Sequence, residues 1–320
     1  MLALQVALSG AAPPPQLALQ QQAANPVGGR RLYVDPESNA QRQAEALRRS
    51  RPQDADLLAQ IANKPVARWM GGWVSDIARE VDNAVSTITR SGALPVFVAY
   101  NIPGRDCGQY SAGGAGGSDA YRAWIRSFAA GLRGRQAIVI LEPDAVAGMD
   151  CLSGPLQQER LALLADAVAV LKAERASVYI DAGNARWKSP AAMAARLRQA
   201  NIARADGFTL NVSNYLNDAT NIAYGEQLSR LLGGKHFIID TSRNGKGATT
   251  SEWCNARGQA LGVAPTTNTG HPLVDAFLWV KQPGESDGTC RGGPKAGSWW
   301  TEVALELSRA ASTLSRTIAR

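Results

Sequence analysis

Histidine is scarce in this sequence: 320 residues include only two, His236 and His271. Neither lies in an HxH or HExxH pattern, so the histidine sets that hold catalytic transition metals are missing. An oxygen-only Ca²⁺ or Mg²⁺ site stays open, but we expect no metal and no other cofactor. The sequence also lacks a GxSxG elbow, and two histidines leave little from which to build a serine or cysteine triad.

Long apolar runs and basic stripes are absent as well. No stretch after residue 28 approaches the roughly 18 apolar residues that a membrane span requires. The net charge is +7, but Lys and Arg are dispersed without interleaved aromatics. We therefore expect a monomer with no nucleic-acid partner and no membrane partner.

The four cysteines form no CxxC pair, which disfavours a zinc knuckle and favours disulfides. Three connectivities are possible. The sequential one closes two loops of similar length, and it joins Cys107 with Cys151 and Cys254 with Cys290. Disulfides indicate an oxidising compartment, so we expect a secreted protein; four free thiols in a cytosolic protein are the alternative.

The N-terminus has a short apolar stretch and small residues, but no Lys or Arg before it, as in a weak or truncated signal peptide. We assign residues 1–27 to a signal remnant or linker and residues 28–320 to a single catalytic domain.

From residue 28 onward, short aliphatic runs alternate with polar loops and with longer stretches of helical spacing, which predicts a parallel α/β sheet. Helical spacing from Trp73 to Ile88 predicts one such helix, ended by Gly92. A closed barrel is favoured over an open doubly wound sheet, because no GxGxxG fingerprint follows the first strand. The seven predicted strands are Val66–Trp69, Pro95–Asn101, Ala137–Glu142, Ser177–Ala182, Gly207–Val212, His236–Thr241 and Ala276–Lys281.

Polar side chains follow nearly every predicted strand, at the edge where parallel α/β folds carry their chemistry. One such acidic residue alone is usually a helix cap. A ring of them suits carboxylate acid and base catalysis, whose usual substrate is a glycosidic bond. Trp69, Trp187 and Trp253 would offer flat faces to sugar rings, with core packing as the alternative. The strand-end residues are Asp106, Glu142, Asp144, Asp181, Asn184, Asn211, Asn214, Asp240, Arg243, Lys281, Glu285 and Asp287.

Two long segments, YNIPGRDCGQYSAGG and VILEPDAV, resemble the signatures of glycoside hydrolase family 6. Four further blocks are similar to that family and stand in the right order: YIDAGNARW, TLNVSNY, EWCNARG and LWVKQPGESDG. The resemblance covers residues 60–310. It implies a distorted seven-stranded parallel β/α barrel, a variant of the TIM barrel, that cuts β-1,4-glucan with inversion. It also implies the sequential disulfide pairing.

By this resemblance Asp144 is the general acid, and Asp106 is the neighbour that raises its pKa. Asp181 would stabilise charge at the anomeric carbon, and Asp287 is the disputed base. Tyr100 would crowd the sugar being cleaved. Sugar rings would stack on Trp69, Trp187 and Trp253. Lys281 and Glu285 would form hydrogen bonds with the sugar.

Two positions depart from the family pattern. Asn184 stands where many members carry His, and Ala112 stands where a Ser commonly helps to hold the catalytic water; Ser111 is adjacent. Both departures bear on turnover. Long insertions that would close a tunnel are missing after Lys281, so the sequence predicts an endoglucanase. The alternatives are a cellobiohydrolase, a non-catalytic glucan-binding protein and a metal-dependent lyase.

Overall fold

The structure, a computed structural model, describes residues 25–318. Its centre is a sheet of seven parallel strands in the order β1-β2-β3-β4-β5-β6-β7. The strands are β1 Arg68–Met70, β2 Val96–Ala99, β3 Ile138–Leu141, β4 Ser177–Asp181, β5 Gly207–Leu210, β6 His236–Asp240 and β7 Val274–Leu278. The predicted parallel α/β fold with seven strands is confirmed.

Eight α-helices lie within the described residues: α1 Asn39–Leu47, α2 Pro52–Ala62, α3 Ile77–Arg90, α4 Ser118–Leu132, α5 Gly154–Ala173, α6 Pro190–Gln199, α7 Asp218–Leu231 and α8 Thr301–Ile318. Their starts follow capping chemistry. Asp76, Ser189 and Asn217 each accept a hydrogen bond from a backbone N–H of the first turn with their side chains. None of these helices is long and apolar enough to cross a membrane.

The sheet curls into an incomplete barrel, because β1 and β7 form no ladder with each other. The gap is bridged just outside the two strands, where the Ala67 N–H donates to the Trp279 carbonyl at 3.0 Å. The Trp69 indole N–H donates to the Val280 carbonyl across the same gap at 2.8 Å. Hydrogen bonds at the rim, and not a ladder between β1 and β7, thus connect the two edges of the sheet.

Apolar residues pack on both faces of the sheet, as the near-continuous apolar strands predicted. Within β2, Val98 belongs to the cluster inside the barrel, whereas Phe97 and Ala99 pack under the surrounding helices. Ile138 and Ile140 of β3 repeat the inward pattern. Successive side chains of a strand alternate between faces, so one run of sequence supplies two cores.

Val27 lies inside the barrel with 1% of its surface exposed. Val27 lies one residue before the predicted start of the catalytic domain, and that domain boundary stays a prediction. Residues 1–24 of the predicted leader lie outside the described residues, as do positions 319 and 320.

Strand β7 begins at Val274, two residues before the predicted start. The start was predicted too late because Asp275 is charged and interrupts the apolar run. In the structure the Asp275 carboxylate is buried and accepts from the Tyr179 hydroxyl at 2.6 Å, and it lies 2.7 Å from His236 Nδ1. A buried charge is tolerated in a strand when partners surround it.

Asp275→Asn should lower the free energy of unfolding by about 2 kcal/mol, because it removes the charge that holds Tyr179 and His236 in a buried site. Urea unfolding followed by circular dichroism measures the change. Asp119→Asn is the matched control, since that carboxylate is fully exposed on α4. Equal stability of the two variants would contradict a structural role for the buried cluster.

Candidate active site

A cleft of about 1250 Å³ opens at the carboxyl ends of the strands. Its walls are the loops that follow the strands, and most of the predicted site residues reach it. Those that line it are Trp69, Tyr100, Asp106, Asp144, Asn184, Trp187, Asn214, Trp253, Lys281, Glu285 and Asp287.

Asp144 lies in a tight turn directly after β3, where Glu142 and Asp144 both have positive φ, 49° and 69°. Such backbone is costly for residues other than glycine and persists only where neighbours fix it. One such neighbour is Asp181 at the end of β4, whose Oδ1 accepts the Asp144 backbone N–H at 2.9 Å. This bond sets the position from which the Asp144 carboxyl faces the cleft.

Asp181 itself does not reach the cleft, because none of its surface is exposed. Its Oδ1 also accepts the Gly183 N–H at 3.0 Å, while Oδ2 has no hydrogen-bond partner among the described residues. Burial raises the pKa of Asp181, and its two backbone donors oppose the rise only in part. Asp181 therefore makes no contact with the cleft, and its role in stabilising charge at the anomeric carbon stays a prediction.

The pKa of Asp144 is raised well above its usual range. Burial is the largest cause, and the negative charges of Asp181, Asp106 and Asp287 follow in that order. The expected influence of Asp106 is present, but the buried Asp181 beneath the turn exceeds it. A carboxyl in this environment keeps its proton at higher pH than an ordinary aspartate, which suits a general acid.

Asp106 lies in the loop between β2 and α4, where it has a positive φ of 55°. Its Oδ2 accepts the Ser111 N–H at 2.6 Å, and burial raises its pKa despite that bond and the nearby Arg105. The disulfide Cys107–Cys151 ties this loop to the one that carries Asp144. Ala112 is exposed at the cleft and offers no hydroxyl there.

Tyr100 directly follows β2 and lines the cleft. Its ring meets Trp69 edge to face at 5.1 Å, and the Arg105 guanidinium lies 4.7 Å from its centroid. Arg105 also donates Nη1 to the Tyr100 carbonyl and Nε to the Ser111 carbonyl. One arginine therefore fixes both the tyrosine and the Asp106 loop.

Asp287 has an environment opposite to that of Asp144. Burial would raise its pKa, but Arg243 and Lys281 outweigh burial and hold the pKa below its usual range. Both carboxylate oxygens accept from Arg243 Nη1, at 3.0 and 2.9 Å, and Oδ2 also accepts the Asn255 N–H. The Tyr215 hydroxyl donates to Oδ2 at 3.3 Å. Asp287 is thus an ionised, heavily bonded anion.

Lys281 and Glu285 stand on the same loop as Asp287. Lys281 Nζ donates to the Ser286 carbonyl at 3.1 Å and lies 3.4 Å from Asp287 Oδ1. Burial raises the pKa of Glu285 to about 6, against the pull of Lys281. The second disulfide, Cys254–Cys290, ties this loop to the loop after β6, so the predicted sequential pairing is confirmed.

Two more strand-end carboxylates, Glu142 and Asp240, are fully buried and bind backbone instead of facing the cleft. Glu142 accepts the N–H groups of Asn101 and Ile102, and burial raises its pKa to about 7. Asp240 accepts N–H groups from three neighbouring strand ends, those of Ser213, Ser242, Val280 and Lys281.

Asn211 is the one predicted amide that does not line the cleft. Its Nδ2 donates to the Leu216 and Asp240 carbonyls, and its Oδ1 accepts the Leu216 N–H. The side chain fixes its own loop. Within residues 25–318, no group of three or more His, Cys, Asp or Glu side chains could hold a metal ion.

The model of the glycosyl hydrolases family 6 matches residues 27–311. The chain belongs to this family. Endoglucanase A of Cellulomonas fimi is 47% identical over 280 residues, which cover 87% of this chain and 61% of that relative, so the chain spans less than two thirds of its length. Endoglucanase 1 of Streptomyces halstedii is 42% identical over 86% of this chain and 88% of that protein.

Among solved structures, the endoglucanase Cel6 of Mycobacterium tuberculosis, in complex with a thio-linked methyl cellobiosyl cellobioside, is similar with a TM-score of 0.86. It is 44% identical, and the match covers 90% of this chain and all of that chain.

Several cleft residues of this family 6 chain were missed by sequence reasoning. Trp73 was assigned to a helix, but α3 begins only at Ile77, and Trp73 lines the cleft with 56% of its surface exposed. The sequence did contain a sign against a helix at Trp73, since two glycines directly precede it. Tyr110 and Arg105 also line the cleft, and both flank Asp106 in sequence.

Asp181→Asn should move the alkaline limb of the pH–activity profile to lower pH by about one pH unit. The amide oxygen can still accept the Asp144 N–H, but the charge that keeps Asp144 protonated is lost, so Asp144 ionises at lower pH. The profile of kcat/KM on a soluble β-glucan measures the shift.

Asp106→Asn is the matched comparison, because Asp106 contributes less than Asp181 to the raised pKa of Asp144. Its alkaline limb should move in the same direction by a smaller amount. An unmoved limb in Asp181→Asn would contradict the assigned electrostatic role.

Proposed function

We propose that this chain is a secreted endo-β-1,4-glucanase that cleaves internal bonds of cellulose or related β-glucans with inversion. Family membership and the endoglucanase names of its relatives support the activity. The two disulfides, which form in oxidising compartments, support secretion. The raised pKa of Asp144 in a glucan-sized cleft is the observation that carries the mechanism.

In the proposed reaction, Asp144 gives its proton to the glycosidic oxygen as the bond to the anomeric carbon breaks. A water molecule attacks the opposite face, so the new hydroxyl has inverted configuration. Tyr100, which lines the cleft, would press on the sugar whose bond is cut. Departure of the leaving chain frees Asp144 to take up a proton from solvent.

Asp287 is the candidate base, but its environment supports a second role more strongly. Oδ2 of Asp287 accepts from Arg243, Tyr215 and Asn255. Oδ1 accepts from Arg243 and lies 3.4 Å from Lys281 Nζ. We propose that Asp287 acts mainly as a fixed negative charge that stabilises the oxocarbenium-like transition state. The proton of the attacking water would leave through other water molecules.

Substrate binding would use flat rings and hydrogen-bonding groups along the cleft. Trp187 and Trp253 are more than one third exposed there, as free stacking surfaces must be. Trp69 is half-buried and holds its indole N–H on the Val280 carbonyl, which fixes its ring against Tyr100. Groups available to sugar hydroxyls are those of Asn184, Asn214, Lys281 and Glu285.

Proton NMR of fresh product from cellotetraose should show the α-anomer first with the wild type. Asp144→Asn should produce none, because the amide has no proton to give; we expect a loss of at least about 10³-fold in kcat. Initial β-product would contradict inversion. No product from the folded wild type would favour a glucan-binding protein, with Ala112 as the first place to look for the cause.

A further inference from the structure

Tyr110 reaches across the cleft from the Asp106 loop to the opposite wall. Its ring centroid lies 6.0 Å from that of Trp253, at an interplanar angle of 53°. Its Cβ also packs on Gly288: a Cβ added to that glycine would lie 2.4 Å from it. The residue next to Gly288 is Asp287, so this contact joins the walls that carry two of the catalytic carboxylates.

Both ends of this contact are fixed to rigid parts of the site. On one side, Cys107 is bonded to Cys151 three residues before Tyr110. On the other, Cys254 follows Trp253 directly and is bonded to Cys290. Such cross-links limit how far each wall can drift.

Asn255 adds to the second wall. Its Oδ1 accepts the Asp287 N–H at 2.8 Å, and its Nδ2 donates to the Gly288 carbonyl at 2.8 Å. Asn255 therefore fixes Gly288, on which Tyr110 packs, relative to Asp287.

Core packing does not account for Tyr110, since 46% of its surface is exposed, as is 44% of that of Trp253. Nearly half of each aromatic side chain therefore remains open to the cleft. Their position suits contact with a ligand below them.

We propose that Tyr110 is a clasp that closes the cleft over the catalytic carboxylates and sets how well short oligosaccharides are used relative to polymer. This inference rests on the proposed glucanase function. With the clasp shut, a short chain is held from above as well as below. An internal segment of a polymer has no free end nearby, so the clasp must open to admit it from the side.

The backbone that carries Tyr110 is anchored at Asp106. Ser111, the next residue, donates its backbone N–H to Asp106 Oδ2 at 2.6 Å. This bond does not involve the Tyr110 ring, so a substitution of that ring should leave the Asp106 site in place.

Tyr110→Ala should reduce kcat/KM for cellotetraose about fivefold to tenfold, the loss of one aromatic contact. On carboxymethyl-cellulose the value should stay within about twofold of wild type, since side entry becomes easier. Tyr110→Phe is the matched control: it keeps the ring and should match the wild type on both substrates.

Thermal unfolding of each variant excludes a general loss of structure. An equal change on both substrates, or a Tyr110→Phe variant that behaves like Tyr110→Ala, would overturn the clasp. Cellotetraose binding by calorimetry, measured in the Asp144→Asn background, makes the test independent of turnover. There Tyr110→Ala should weaken binding about fivefold while Tyr110→Phe does not. Unchanged binding would overturn the clasp, whereas an inactive wild type with clasp-dependent binding would refute only the glucanase proposal.

Discussion

The hydrogen bond from the Asp144 backbone N–H to the buried Asp181 carboxylate is the constraint on which the site depends. It holds the left-handed turn after β3, and it places a negative charge beneath the residue that must keep a proton. One side chain therefore fixes the position of Asp144 and adds to burial, the largest cause of its raised pKa. A hydrogen bond to the backbone fixes the position of Asp144 without neutralising the Asp181 carboxylate. The negative charge of Asp181 can therefore also raise the pKa of Asp144. Asp287 differs from Asp144, because its partner Arg243 favours the ionised carboxylate, whereas the surroundings of Asp144 favour the protonated form.

The same chemistry extends around the barrel rim. Glu142 binds backbone N–H groups at the end of β2, Asp181 binds them at the ends of β3 and β4, and Asp240 binds them beyond β5, β6 and β7. An incomplete barrel has no full ladder to hold its loops in register, and these buried carboxylates fasten neighbouring loops to one another. The two disulfides reinforce the loops with the most catalytic residues. The rim therefore carries two groups of acidic residues. The buried ones bind backbone N–H groups, and the others face the cleft.

The strands were predictable because burial on two faces demands long apolar runs, and seven such runs stand in the sequence. Position at a strand end also located the acidic ring. Depth within that ring follows the distance from the strand. Glu142, Asp181, Asn211 and Asp240 stand at the last strand residue or directly after it and are buried, whereas Asp144 and Asp287 stand further along their loops and reach the cleft. The amide of Asn211 binds backbone of its own loop and the Asp240 carbonyl of β6. Tyr110 was missed because its contacts with Trp253 and Gly288 lie across the cleft, between segments far apart in sequence, and no local spacing encodes such contacts. Trp73 was missed although two glycines directly precede it.

The central claim is that Asp181 keeps Asp144 protonated, and a carboxyl titration tests it without reference to activity. Protein labelled with ¹³C at the aspartate carboxyl carbon would be titrated by NMR, with the Asp144 signal assigned by its disappearance in Asp144→Asn. We predict that this carbon titrates well above the ordinary aspartate pKa of about 3.9 in wild type, and closer to that value in Asp181→Asn. An Asp144 signal that titrates near the ordinary value in wild type, or one that Asp181→Asn leaves unmoved, would contradict the account.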